Sequence, residues 1–168
     1  SNDFTAFTSN GFTYGASAQL DTSTGTPCTW LWKANGTGST NTNGSQNSTV
    51  SANTAAGFSI VKYTGTGANV TIGHGLGVAP KMIHIKGLGN ANNWLTGGTN
   101  ISSNWASSLH LNTTAGIDTY NYWQDQAPNT NVFYMTSDGA INQNGIDYIA
   151  YCFSDVQGYS KFGSYTGN

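Results

Sequence analysis

PKMIHIK, from Pro80 to Lys86, decides the fold class. In an extended chain Met82, His84 and Lys86 fall on one face and Ile83 and Ile85 on the other, the period of two that marks a β-strand. Pro80 stands at the strand start, where its missing N–H does least harm. Working outward, NVTIG (69–73), SLHLN (108–112) and YNYW (120–123) read as further strands, as do FTYG (12–15) and FYMT (133–136). FSIVKYTGTG, from Phe58 to Gly67, reads as another. No stretch carries apolar residues at helical spacing over a useful length; they alternate or come in short runs bounded by Gly and Asn.

Composition agrees with the pattern. Gly, Asn, Thr and Ser make up nearly half of the 168 residues, and 12% are aromatic. Thr, Tyr, Trp and Phe suit a pleated, half-buried surface, whereas Gly and Asn suit tight turns. Aromatic residues recur from Phe4 to Tyr165, which argues against disorder. The expected fold is an all-β, antiparallel β-sandwich occupying residues 1–168 as a single domain.

Only 7% of the residues are charged, against about 25% in an ordinary domain. All five cations are Lys and all seven anions are Asp. Without Arg there is no guanidinium fork for phosphate. A net charge of -2 supplies no basic stripe, so neither nucleic acid nor an anionic membrane is an expected partner. No apolar run approaches the roughly 20 residues of a membrane helix.

Two segments of equal length share one plan, Phe12–Trp32 and Phe133–Phe153. Each opens on a short strand, passes a loop glycine at nearly the same place (Gly25, Gly145), and closes on an aromatic run, CTWLW (28–32) or IAYCF (149–153). Trp30 then falls over Tyr151 and Trp32 over Phe153. A second echo sets FSIVKYTGTG beside YSKFGSYTGN, Tyr159–Asn168. The expectation is an internal duplication, with echoes over 12–67 and 133–168 and both aromatic runs in the core. The ending at YTGN is read as a cut within a longer tandem-repeat chain, with chance recurrence in a Thr- and Gly-rich sequence as the alternative. The polar stretch from Asn35 to Thr49 is expected to be a mobile surface loop.

Candidate chemistry is sparse. Cys28 and Cys152 point to opposite faces in the repeat register, so two buried free thiols are expected rather than a disulfide. His74, His84 and His110 lack the spacing of a zinc site. His74, in GHGLG (73–77), is expected to bond a loop carbonyl, and His84 to be a satisfied sheet residue. Most of the seven Asp residues sit in turns such as AGIDT and TSDGA, where the side chain caps its own turn. No GxSxG, P-loop or HExxH occurs. No catalytic residue, metal or cofactor is therefore expected. Trp94, Trp105 and Trp123 lie in polar contexts (ANNWL, SSNWA, YNYWQD) and are the candidates for stacking on a sugar, with packing as the competing role of each. Sequons begin at Asn35, Asn43, Asn47, Asn69, Asn100 and Asn112, several of them expected from composition alone.

Three stretches carry a resemblance: VSANTAAGFSIVKYTGTGANVTIGHGLGVAPKMIHIK (50–86), SLHLNTTAG (108–116) and DYIAYCFSDVQGYSKFGSYTGN (147–168). Together they resemble an uncharacterised repeat domain of tail-fibre and other virion structural proteins of tailed bacteriophages, marine and cyanobacterial ones in particular. That resemblance implies a sandwich of the lectin-like, jelly-roll kind and an extracellular virion component. It brings no catalytic residues. The expected function is structural and adhesive: a tail-fibre, appendage or filament subunit that assembles with copies of itself or other virion proteins and contacts host-surface polysaccharide. The alternatives are a free-standing carbohydrate-binding module and a polysaccharide-degrading enzyme using an Asp pair.

Overall fold

In the computed structural model, which describes residues 4–16 and 28–167, the alternating segments pair as their patterns require. β11 (Asp147–Phe153) is the centre of a seven-stranded antiparallel sheet in the order β3-β4-β5-β11-β7-β8-β9. Its neighbours are β5 (Phe58–Thr64) and β7 (Met82–Gly87), with Tyr151 opposite Ile60 on one side and His84 on the other. Outward lie β4 (Ser48–Asn53) and β3 (Ser39–Asn41) at one edge, and β8 (Leu95–Gly98) and β9 (Leu109–His110) at the other. Alternation sends Val61, Tyr63, Ile83, Ile85, Tyr148, Ala150 and Cys152 to the inner face, all of them buried.

A second, smaller layer covers that face. β6 (Val70–Gly73) pairs antiparallel with β10 (Val132–Met135), and Val70, Ile72, Phe133 and Met135 join the inner residues in one core. Tyr63 meets Phe133 edge-on at 6.4 Å. The architecture is an all-β sandwich whose layers hold seven strands and two. A single helical turn, α1 (Gly139–Asn142), is capped by Asp138, whose carboxylate accepts from the Ala140 N–H at 2.7 Å. Asn142 is fully buried and satisfied: its amide donates to Thr136 O and Ala68 O and accepts from the Thr66 N–H. Among the described residues no helix is long and apolar enough to cross a membrane.

Contacts divide the chain into two compact units, Ser1–Trp32 and Lys33–Asn168. The sandwich is the second. The first contains a ribbon of β1 (Phe4–Thr8) and β2 (Gly11–Tyr14).

The duplicated plan of the sequence is not carried into the backbone. Phe133–Phe153 supplies most of β10 and all of β11, but Cys28–Trp32 forms no strand. Trp30 is 75% and Trp32 53% exposed, so these two are not core residues. The reason is burial pattern: in IAYCF the residues that alternate with the rings, Ala150 and Cys152, are small enough to close on a facing layer, and it is they that enter the core. Gly25 lies outside the described residues. YSKFGSYTGN likewise forms no strand counterpart to β5, only a bridge between Val156 and Ser160.

Two further expectations change. YNYW is a turn rather than a strand. The stretch from Asn35 to Thr49 contains β3 and is tied to β6, with the Ser45 and Gln46 N–H groups both donating to Thr71 O. Short polar side chains there replace apolar packing with hydrogen bonds, so the segment carries no hydrophobic signature.

Candidate functional site

The outer face of the large sheet is unusually aromatic. Phe58, Tyr151, Phe153 and His84 project there by alternation from β5, β11 and β7, and Trp94 joins them from just before β8. Trp94 lies nearly parallel to Tyr151, centroids 6.0 Å apart at 15°. Tyr151 in turn lies nearly parallel to Phe58, 6.3 Å away at 13°. Phe153 meets Phe58 at 5.0 Å, His84 edge-on at 5.6 Å and Phe162 at 6.0 Å. Phe58 and Phe153 are buried, whereas Trp94 and Tyr151 are half-buried. Trp94 thus ends a row of rings that cross-strand pairing holds rigid.

Beside this row runs a groove of about 340 Å³, lined among others by Met82, His84, Thr96, Ile101, Leu109 and Phe162. Among the described residues Lys81 is the one cationic side chain in its lining. His84 Nδ1 is 2.8 Å from Thr96 Oγ1, and burial pushes the imidazole pKa down to about 4. Lys86 donates its ammonium to the carbonyls of Asn90 and Asn92, which spends the charge on shaping the loop ahead of Trp94. Asn112 accepts from the Trp94 backbone N–H at 3.0 Å and donates to Asn93 Oδ1 at 2.9 Å, fixing an amide pair at the Trp94 backbone. An apolar floor with a few fixed polar groups is the usual make-up of a small-ligand site.

The other two candidate tryptophans are core residues. Trp105 and Trp123 are fully buried and meet edge to face at 5.1 Å and 81°. Trp123 donates its indole N–H to Ser108 Oγ at 2.8 Å, and Trp105 donates to Thr99 Oγ1. Gly97 makes room for both: a Cβ there would stand 2.5 Å from Trp123 and 2.7 Å from Trp105. Neither can stack on a ligand, which leaves Trp94 of the three. Their polar neighbours in sequence belong to turns that wrap the pair, with Trp105, Gln124 and Asp125 at positive φ.

His74 is buried and held as its sequence suggests. It bonds Asn129 O through Nε2 at 3.1 Å and accepts from the Leu76 N–H at Nδ1, while burial lowers its pKa. Tyr151 and Phe153 belong to the outer row. Cys28 and Cys152 are both free; Cys152 is buried but Cys28 is exposed, against the expectation of two buried thiols.

One constellation escaped the sequence reading. Asp118 Oδ2 accepts from the Tyr122 hydroxyl at 2.9 Å and lies 3.1 Å from His110 Nε2, while Oδ1 accepts from the Tyr120 N–H. Burial alone would raise the carboxyl pKa, but the bonds from Tyr120, Tyr122 and His110 outweigh it and lower the value. The turn at AGIDT was legible; the reach back to His110, eight residues away, has no sequence signature. Asp118 anchors the loop that follows Asn112, from which Ile117 and Tyr120 stand exposed. Among the described residues no group of three or more His, Cys, Asp or Glu could hold a metal ion.

No curated protein and no solved structure matches the chain. A family model does, over residues 1–168, so the chain belongs to the family described as a domain of unknown function, DUF7483.

Proposed function

We propose that the chain is a non-catalytic structural and adhesion module of a phage virion, an appendage or filament subunit that contacts host-surface glycans through the outer face of its large sheet. The observation that carries this reading is Trp94: half-buried, braced on one side by Tyr151, and flanked by the amides of Asn93 and Asn112. A rigid ring stacks on the apolar face of a sugar at little entropic cost, and neighbouring amides bond its hydroxyls. The carboxylates support a non-catalytic role, because each described Asp is already engaged. Asp118 anchors a loop, Asp125 bonds Asn121, and Asp138 caps α1. Asp147 pairs with Lys62, and Asp155 accepts from the Phe162 N–H. The virion setting rests on the resemblance described above.

Titration of a panel of neutral oligosaccharides, followed by tryptophan fluorescence, tests the adhesive part. We expect a change with at least one glycan that is lost in Trp94→Ala; silence across a broad panel sinks this part of the reading. Trp94 equally favours a free-standing carbohydrate-binding module. Electron microscopy separates the two, since an appendage subunit forms oligomers or filaments and a free module stays monomeric.

A further inference from the structure

The ribbon of the first unit presents an aromatic face. A β-bulge between Phe4 and Ala6 shifts the register with β2, so that Phe4 and Phe7 come together with their rings 4.7 Å apart. Phe12 lies 6.0 Å from Phe4, and Tyr14 6.2 Å from Phe12. Thr5 and Thr13 bond each other through their hydroxyls at 2.7 Å. Phe4 is 49% exposed, Phe7 75% and Tyr14 46%, and Trp30 of the same unit is 75% exposed. At about 200 Å² per ring Phe4, Phe7 and Tyr14 together leave roughly 340 Å² of apolar surface in water. That is within the range of the largest patch on a typical monomer, which is often functional. It also supplies about three-quarters of the apolar share of one side of a standard interface of about 800 Å².

The backbone points the same way. Among the described residues β1 and β2 pair only with each other, so there each strand has one edge whose N–H and C=O groups face no further strand. Neither charge nor proline occurs in residues 4–16, although these are what proteins ordinarily use to blunt an exposed edge. A two-stranded ribbon alone is marginally stable in water and gains by adding a strand or covering its apolar face.

We infer that this ribbon is the surface through which one copy of the chain joins a second copy. An identical ribbon supplies both requirements at once, a matching strand edge and a matching aromatic face, and a two-fold contact is self-complementary by construction. The absence of charge leaves no repulsion between copies and nothing to attract an acidic or basic partner. The aromatic face offers a sugar few hydrogen bonds, which separates this surface from the one at Trp94. The inference rests on the reading of the chain as a self-assembling module and names the element that does the assembling.

Sedimentation velocity on the full chain, from micromolar to sub-millimolar concentration, tests it with Phe7→Ser and Tyr14→Ser. The unmodified chain should associate, and each variant should associate about tenfold more weakly or worse, as for an interface hot spot. Thermal midpoints should not change. Variants that associate like the unmodified chain overturn the inference while leaving a self-assembling module intact, built through another surface. Variants that lose thermal stability overturn it too, because the rings would then be packing within their own fold. A chain monomeric throughout the range sinks both the inference and the self-assembly it rests on, and leaves the glycan titration of Trp94 as the separate test of adhesion.

Discussion

His84 couples the outer face to pH. Its imidazole pKa falls from 6.5 to about 4 because burial disfavours the charged ring, and the burial of His74 acts in the same direction. Between those values the unfolded chain binds more protons than the folded one, so stability is complete above about pH 6.5 and is lost as pH falls toward about 4. For His84 the loss should be on the order of 2 kcal/mol once solvent screening is allowed for. Urea titrations at several pH values should find this slope, and His84→Gln should flatten it while His74 retains its share. A stability that stayed level from pH 7 to pH 4 would contradict the burial of both rings. At this scale the sequence was informative where the backbone alone decides a side chain's place. Alternation in PKMIHIK put His84 opposite Ile83 and Ile85, and the glycines around His74 implied a loop carbonyl partner. It was uninformative where the deciding atom is far away in the chain. Nothing in LTGGT announces that Gly97 is the hole into which Trp105 and Trp123 fit, so these two rings and Trp94 read alike in sequence although only Trp94 reaches the surface.

The elements best written in the sequence are those buried on one face at least. β5, β7 and β11 declare themselves through Val61, Tyr63, Ile83, Ile85 and Tyr148, whereas β3, of composition Ser-Thr-Asn, is held by pairing to β4 and has no apolar residue to betray it. CTWLW misleads for the opposite reason: it has the composition of a core strand without small residues between its rings. β11 also does work that composition hides. Tyr148 stacks on Tyr63 at 5.3 Å and 9°, and its hydroxyl donates to Gly139 O at 2.8 Å while accepting from the Gln143 N–H at 2.9 Å. One phenol thereby bonds both ends of α1 to the centre of the sheet. Tyr148→Phe keeps the stack but removes the partner of the Gln143 N–H and one of two donors to Gly139 O, where the Asn92 amide remains, which should cost about 1 kcal/mol. Denaturant unfolding should place that loss in the midpoint with the slope unchanged. A midpoint within error of the unmodified chain would mean that α1 is held by Asp138 and Asn142 without Tyr148.

For the molecule as a whole, the scarcity of charge first excludes partners and then describes the conditions the protein tolerates. The charged pair joining neighbouring strands is Lys62 and Asp147, 2.9 Å apart and both well exposed, and an exposed pair contributes about 1 kcal/mol at most. The core, the outer aromatic row, the Asn93 and Asn112 amides and the aromatic ribbon hold no net charge. Raising salt from 0.1 M to 1 M shortens the screening length from about 10 Å to about 3 Å, which weakens interactions between exposed charges and leaves apolar and neutral hydrogen-bonded contacts in place. Thermal unfolding, glycan titration and sedimentation in sodium chloride across that range should therefore agree. The melting midpoint should move by no more than a few degrees, set by the exposed Lys62–Asp147 pair, and neither glycan affinity nor self-association should fall. Association that dissolved at high salt would require an ionic interface, and since residues 4–16 contain no Asp, Glu, Lys, Arg or His, it would move the contact between copies away from the ribbon. Association that strengthened or held would leave the uncharged ribbon as the contact, since apolar burial and neutral backbone pairing are not weakened by salt.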